Sequence, residues 1–93
     1  MQSGEIEVLM EIGQSYLMNK EYDKAINKFS EALKINPHDP ELYYYLGLAY
    51  EQSGRLEQAE KMYEKAIMLD RSFSNAEIRL SEVRNKIAQE RAM

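Results

Sequence analysis

The chain repeats itself at an offset of 34 residues, and this period constrains its fold more than any other feature of the sequence. When residues 6–39 are aligned with residues 40–73, small residues coincide with small ones and large apolar residues with large ones. The coinciding pairs are Gly13 with Gly47, Tyr16 with Tyr50, Ala25 with Ala59, Phe29 with Tyr63, and Ala32 with Ala66. Small residues recur where two backbones approach, and large ones recur where a core is filled. The pattern therefore predicts two copies of one structural unit.

Each unit is predicted to contain two amphipathic helices. Apolar residues in both halves of a unit follow the three-and-four spacing of one helical face. In the first unit they are Leu9, Ile12, Gly13 and Tyr16, followed by Ala25, Phe29, Ala32 and Leu33. The breaks at residues 19–21 and 53–55 are short, so the two helices of a unit should be antiparallel neighbours. Gly13 and Gly47 fall within helices, where each costs about 1 kcal/mol relative to Ala, so we expect close helix approach there.

The connection between the two units has strong stop and start signals. Asp39 is placed to cap the next helix, and Pro40 follows at its first helical position. Only four Gly and two Pro occur in 93 residues, while strong helix formers are abundant. The composition thus predicts a single all-α unit.

Charge and cysteine content exclude several classes of function. The net charge of −4 argues against nucleic-acid binding, which depends on clustered Lys and Arg. The sequence has no cysteine, which fits a reducing compartment and makes the cytoplasm the expected location. No apolar run is long enough for a membrane-spanning helix, so we expect no membrane insertion.

The repeated residues resemble the tetratricopeptide family, whose helix-turn-helix unit has a large residue, then Leu-Gly, Tyr, Ala, an aromatic residue, Ala and Pro. The second unit has Tyr43, Leu46, Gly47, Tyr50, Ala59, Tyr63 and Ala66 at these positions. The first unit has Leu9, Ile12, Gly13, Tyr16, Ala25, Phe29, Ala32 and Pro37. Arg71 replaces the expected Pro in the second unit. The resemblance implies an all-α, right-handed superhelical stack of antiparallel helix hairpins.

The residues after the second unit do not form a third full unit. Glu77, Ser81 and Arg84 occupy its large, Gly and Tyr positions. Family members often end in one extra helix that is polar on its outer side, and residues 74–92 fit that role. Its expected inward residues are Ile78, Leu80, Val83, Ile87 and Ala88. We therefore predict one domain of five helices, with repeat one at 6–39, repeat two at 40–73 and a capping helix at 74–92.

The resemblance implies that the first helix of each unit lines a concave groove. The expected partner-binding residues are Met10, Gln14, Tyr44, Tyr45, Leu48, Ile78 and Arg79. Two interpretations of the tyrosines stay open: exposure in the groove, or partial burial between neighbouring helices. Exposure would suit an amphipathic helix or extended peptide with apolar anchors, with Arg79 pairing a carboxylate. The predicted function is a non-catalytic scaffold that binds a protein or peptide partner.

A second hypothesis is self-association through the same face or through the open end of the stack. Two repeats and a cap fall short of the three repeats that such stacks usually need for stability. A homodimer would complete the core.

Some family members grip the acidic tails of chaperones with Lys, Asn and Arg side chains on these first helices. At the corresponding positions this sequence has Met10, Gln14, Tyr45, Asn75 and Arg79. Only Arg79 agrees, so the sequence does not predict that specificity.

We find no catalytic, cofactor-binding or metal-binding motif in the sequence. His38 is the only histidine and is expected in an exposed loop, with no second histidine or thiol to join it. Met62 and Met68 fall among the packing positions of their helix and are predicted to fill gaps in the core.

Overall fold

The computed structural model describes residues 2–93, with side chains from Gly4 onward. Five α-helices follow one another along this part of the chain. They are α1 (Gln2–Met18), α2 (Tyr22–Ile35), α3 (Pro40–Gln52), α4 (Leu56–Leu69) and α5 (Ser74–Ala92). The predicted all-α fold of five helices is confirmed. The helices stack into an elongated body of 48 × 29 × 17 Å, with each helix packed mainly on the next one in sequence.

The two hairpin turns occupy equivalent positions in the repeat. Gly54 ends α3 with a φ of 83°, as its freedom from a side chain allows. Lys20 lies 34 residues earlier and has a φ of 64°, so the first turn uses the left-handed region without glycine. Before α3, the Asp39 carboxylate accepts a hydrogen bond from the Glu41 N–H at 2.9 Å, and Pro40 is the first helical residue. The predicted cap is confirmed.

The glycines within the first helices allow the close approach that the sequence predicts. A Cβ atom placed on Gly13 would lie 2.6 Å from Cε1 of Phe29, and one on Gly47 would collide with the Tyr63 ring in the same way. Phe29 and Tyr63 are both fully buried. In each hairpin, an aromatic ring of the second helix therefore packs directly against a glycine of the first helix.

The core consists of two adjoining clusters. The first contains Leu17, Ala25, Phe29, Ala32, Leu42, Leu46 and Ala49. The second contains Leu56, Ala59, Tyr63, Leu80, Val83 and Ile87. Helix α3 contributes to the first cluster, and its partly buried Tyr44, Leu48 and Tyr50 pack on the second. The helix therefore lies between two layers and buries more than one face.

This arrangement corrects the inward face that the sequence predicts for the first helices. Leu42 and Ala49 are fully buried, although the repeated motif did not single them out. Ile12, predicted to face inward, is 37% exposed. The reason is that α2 covers Leu42 and Ala49 from the preceding hairpin, whereas the described residues provide no preceding helix over Ile12.

Two further expectations about burial are wrong. On α5 the buried residues are Ala76, Leu80, Val83 and Ile87, which follow one helical stripe. Ile78 and Ala88 lie off that stripe and are exposed. On α4, Met62 packs against the core as predicted, but Met68 is 72% exposed because it lies away from the helix's buried side.

A buried carboxylate joins three helices in the second cluster. Glu51 on α3 accepts a hydrogen bond from the Tyr63 hydroxyl of α4 at 2.7 Å. Its other oxygen accepts from Nζ of Lys86 on α5, also at 2.7 Å. Burial, together with the bond to Glu51, raises the pKa of Tyr63 above its ordinary value, so this phenol stays protonated. Repeat one has the apolar pair Leu17 and Phe29 at the same positions.

Within the described residues, no helix is both long and apolar enough to cross a membrane.

Candidate functional site

The candidate groove is centred on three residues of α3 that touch the core without being enclosed by it. Tyr45 packs on the first cluster, Tyr44 on the second, and Leu48 on both. All three keep part of their surface exposed. The interpretation of partial burial is therefore the observed one for both tyrosines.

Aromatic contacts hold the two tyrosines in place. The Tyr45 ring stacks on Phe29, with centroids 5.5 Å apart and planes at 20°. Tyr44 meets the edge of Tyr45 at 5.7 Å and lies 5.1 Å from the ring of Phe73. Rings packed in this way lose little further entropy on binding, which makes them suitable contact surfaces.

Helix α5 carries two of the predicted groove residues, one apolar and one charged. Ile78 is 59% exposed, an uncommon position for a large aliphatic side chain. Arg79 is partly buried; burial lowers its pKa, but the Tyr44 side chain and the Glu51 charge outweigh this and raise the pKa above its ordinary value. Its guanidinium Nη1 lies 3.9 Å from Oε1 of Glu82. The groove thus has a permanent cation next to an apolar contact.

Helix α1 supplies the remaining two predicted residues. Met10 is partly buried and packs against the first cluster, together with Tyr45 and Leu48. Gln14 lies about one turn further along α1 and is also partly buried. Helix α3 lies between this pair and the α5 residues Ile78 and Arg79. The structure therefore brings Met10, Tyr45 and Leu48 to one cluster and places Tyr44 with Arg79.

A shallow hollow of about 360 Å³ lies between the start of α3 and the start of α5. It combines three aromatic rings with three carboxylates and has no basic residue in its lining. The lining residues are Asp39, Pro40, Glu41, Tyr44, Tyr45, Asp70, Phe73 and Asn75. Burial raises the pKa of Tyr45, and the nearby Glu41 carboxylate raises it further. The three carboxylates make the hollow negative.

The sequence did not mark Phe73 and Asp70 as site residues. Phe73 occupies the position of Asp39 in the repeat, so an aromatic side chain lies where the turn between α2 and α3 has a helix cap. Asp70 accepts hydrogen bonds from the Ser72 N–H and hydroxyl in the same turn. The departure from the repeat at residue 73 is the sequence feature that could have identified Phe73 as a site residue.

The described residues show no group of three or more His, Cys, Asp or Glu side chains arranged to hold a metal ion. His38 is exposed, and its backbone N–H donates to Oδ1 of Asn36 at 3.1 Å. The arrangement of side chains in the groove is suited to binding through apolar contact and charge.

Comparison with known proteins identifies the family. Residues 13–54 match the family described as TPR repeat, and residues 40–73 match the one described as Tetratricopeptide repeat. The chain belongs to the tetratricopeptide repeat family. Members of this family are generally non-catalytic interaction modules.

Individual relatives are similar over most of this chain. The peroxisomal targeting signal receptor of Kluyveromyces lactis is 36% identical over 75 residues, which is 81% of this chain and 13% of the receptor. The chain thus spans a small part of the curated relatives it matches.

Solved structures show the same fold. The TPR domain of Sgt2 from Aspergillus fumigatus has a TM-score of 0.88 and 34% identity, covering 91% of this chain and 56% of that one. The first TPR of Spaghetti (RPAP3), solved with the HSP90 peptide SRMEEVD, has a TM-score of 0.88 and 28% identity, covering 94% and 69%.

Proposed function

We propose that this protein is a non-catalytic interaction module that holds a peptide or helix of a partner protein in the groove formed by α1, α3 and α5. The observation that carries the proposal is the exposed apolar surface of the groove. Tyr44, Tyr45 and Leu48 pack on the core and keep part of their surface exposed, and Ile78 of α5 is 59% exposed. Apolar surface of this kind, rimmed by polar groups, is typical of a binding site.

The relatives support a peptide as the partner. One similar structure contains a chaperone peptide, and one similar sequence is a receptor for a targeting signal. The net charge of −4 argues against nucleic acid as the ligand. The absence of cysteine from the sequence supports a cytoplasmic site of action.

The charges in the groove would set the direction in which a partner segment binds. A carboxylate of the partner would pair with Arg79, and a basic side chain would enter the negative hollow beside Tyr45 and Phe73. Between them, an apolar side chain would cover Leu48 and Ile78. We expect weak binding of SRMEEVD, because Met10 and Tyr45 stand where family members that hold acidic tails have Lys and Asn.

The test uses labelled synthetic peptides with one apolar core sequence and either Lys, Asp, both or neither at their two ends, with SRMEEVD as a reference. Binding is measured by fluorescence anisotropy. We expect the peptide with one Lys end and one Asp end to bind most tightly. Substituting Ile78→Ser should weaken that binding by about tenfold, since it removes about 1.4 kcal/mol of apolar contact.

Met68→Ser is the control, because Met68 is also an exposed apolar residue but lies on α4 and not on a groove helix. It should leave the dissociation constant unchanged. Equal losses in both variants, or binding that is indifferent to Ile78, would show that the peptide contacts another surface. Tightest binding by SRMEEVD would replace the proposed specificity with that of the chaperone-binding relatives.

Self-association is the second candidate function. The groove offers no particular support for it, since its residues are already half-covered by the chain itself. The observation that favours it is the exposure of Val8 and Ile12 at the first helix.

A further inference from the structure

Three equivalent positions on the first helix of each unit differ sharply in exposure. On α3, Leu42, Leu46 and Ala49 are 0%, 3% and 0% exposed. On α5, Ala76, Leu80 and Val83 lie 34 residues later and are 0%, 8% and 0% exposed. On α1, Val8 and Ile12 occupy the first two of these positions and are 55% and 37% exposed. The same apolar face is thus buried twice and open once.

The second helix of the preceding hairpin covers this face where it is buried. Ala25, Phe29 and Ala32 of α2 belong to the cluster that contains Leu42, Leu46 and Ala49. Ala59 and Tyr63 of α4 belong to the cluster that contains Leu80 and Val83. On α1 the face instead borders a hollow of about 590 Å³ between α1 and α2. Its lining residues are Gly4, Glu5, Val8, Leu9, Glu31, Lys34 and Ile35. We call this surface, with Ile12, the open edge.

We propose that the open edge pairs with the open edge of a second copy of this chain, so that α1 lies antiparallel to α1 of the partner copy. The surface is independent of the proposed peptide groove. Val8 and Ile12 of one copy would cover Ile12 and Val8 of the other, and each copy would close the hollow of its partner.

The opposite end of the stack favours a twofold contact over a chain of copies. There, α5 presents Glu77, Ser81 and Arg84, all exposed, at the positions where the two repeats have their large, Gly and Tyr residues. These three positions offer no apolar residue to receive the open edge, so head-to-tail stacking through them is not supported. A surface that meets only its own copy closes as a dimer.

The pattern along α1 favours an antiparallel pair over a longer covering helix. Ser15 and Asn19 occupy the positions of Ala49 and Ser53, so only the first half of the face is apolar. A helix laid along all of α1, as α2 lies along α3, would bury the Ser15 hydroxyl in apolar surroundings, at a cost unless it is hydrogen-bonded. An antiparallel pair centred between Val8 and Ile12 instead places Ser15 opposite Glu5 of the partner copy, where the hydroxyl can donate to the carboxylate.

Charge on the open edge is also self-complementary. Glu5 and Glu31 carry negative charge, and Lys34 lies beside them in the lining of the same hollow. Within each copy, Glu31 is also paired with Lys28 at 3.0 Å. A face of one sign would have opposed self-pairing.

Sedimentation equilibrium across a range of concentrations tests the proposal on the whole chain. The native mass should rise from the 10.9 kDa of one copy towards twice that value as concentration increases. Val8→Ser with Ile12→Ser should stay at the mass of one copy. Both residues are exposed, so helix content by circular dichroism should match the native chain and exclude misfolding.

The control is Met68→Ser with Ile78→Ser, which removes two exposed apolar residues outside the open edge, both more exposed than Val8 and Ile12. It should dimerise like the native chain. A native chain that stays monomeric at every concentration would overturn the proposal, and so would an open-edge variant that still dimerises. A control variant that becomes monomeric would instead place the interface on the groove side or on α4.

The register can be tested separately, because the chain has no native cysteine. Under mild oxidation, a mixture of Val8→Cys and Ile12→Cys chains should form the mixed disulfide faster than either chain links to itself. Faster self-linking of the Val8→Cys chain would overturn the antiparallel arrangement.

Discussion

The first and last helices of the stack differ in the residues that they expose to solvent, although both occupy the first-helix position of the repeat. Helix α5 keeps the apolar face that packs back onto α4 and is polar at Glu77, Ser81 and Arg84, where a further helix would pack. Helix α1 keeps the face that packs onto α2, but it also retains Val8 and Ile12 on the side that nothing in the described structure covers. The comparison shows that the outer side of α5 is polar, as in a capping helix, whereas the outer side of α1 is apolar.

The two ends also differ in their charged contacts. Arg84 of α5 pairs with Glu60 and Glu64 of α4 at 3.0 and 2.7 Å, and Lys86 reaches the buried Glu51. The Arg84 pairs are largely exposed and contribute little to stability. The contact between Lys86 and Glu51 matters more for stability, because leaving a buried carboxylate without a partner is costly. At the other end, the position equivalent to Glu51 is the apolar Leu17.

The largest difference is expected between truncations at Leu46 and Ile12, which lie at the same repeat position. Leu46→Ala should lower the free energy of unfolding by about 2–5 kcal/mol, because it opens a cavity in the first cluster. Ile12→Ala should cost about 1 kcal/mol or less, because that side chain is already partly hydrated. Urea unfolding at low protein concentration measures both. Equal losses would mean that Ile12 is covered in solution even in the monomer.

A smaller effect is expected from replacing Glu51 with the residue that repeat one has in its place. Glu51→Leu should cost about 1–3 kcal/mol, since the buried Tyr63 hydroxyl loses its acceptor. Adding Tyr63→Phe should recover most of this loss, because the pair then matches Leu17 and Phe29. Thermal and urea unfolding of the single and double variants measure both changes in stability. A double variant no more stable than the single one would show that the network with Lys86 holds α5 in place.

The smallest effect concerns the glycine position in α3 and its counterpart in α5. Gly47→Ala should cost about 1–2 kcal/mol, because displacing the Tyr63 ring outweighs the gain in helix propensity. Ser81→Ala, 34 residues later on the exposed side of α5, should change stability by no more than about 0.5 kcal/mol. Chemical denaturation of the two variants gives the comparison directly. A destabilised Ser81→Ala chain would indicate that something packs on the outer side of α5.

Several features of the fold were predictable from local pattern. The 34-residue period predicted the two hairpins and their short turns, and the Gly13 and Gly47 positions predicted close helix approach. These features depend on residues near in sequence or on one repeated spacing. The candidate groove was predictable only as a set of helix faces, and the binding role of its residues stays a prediction.

Other features depended on neighbours that a single helix does not specify. The pattern could not distinguish the exposed Ile12 from the buried Leu46, since both are large aliphatic residues at one repeat position. It also missed the burial of Glu51, whose partners Tyr63 and Lys86 lie 12 and 35 residues away. Phe73 lines the hollow because the turn before α5 places its ring against Tyr44.

The sequence by itself determined the helices, their pairing into hairpins and the family of the chain. The reason is that helix periodicity, turn residues and the repeat are all properties of the linear sequence. Tertiary structure decided which apolar faces are covered and which polar groups are buried. The physical reason is that burial depends on whether another helix lies over a face. The same apolar residue is therefore core in α3 and open surface in α1.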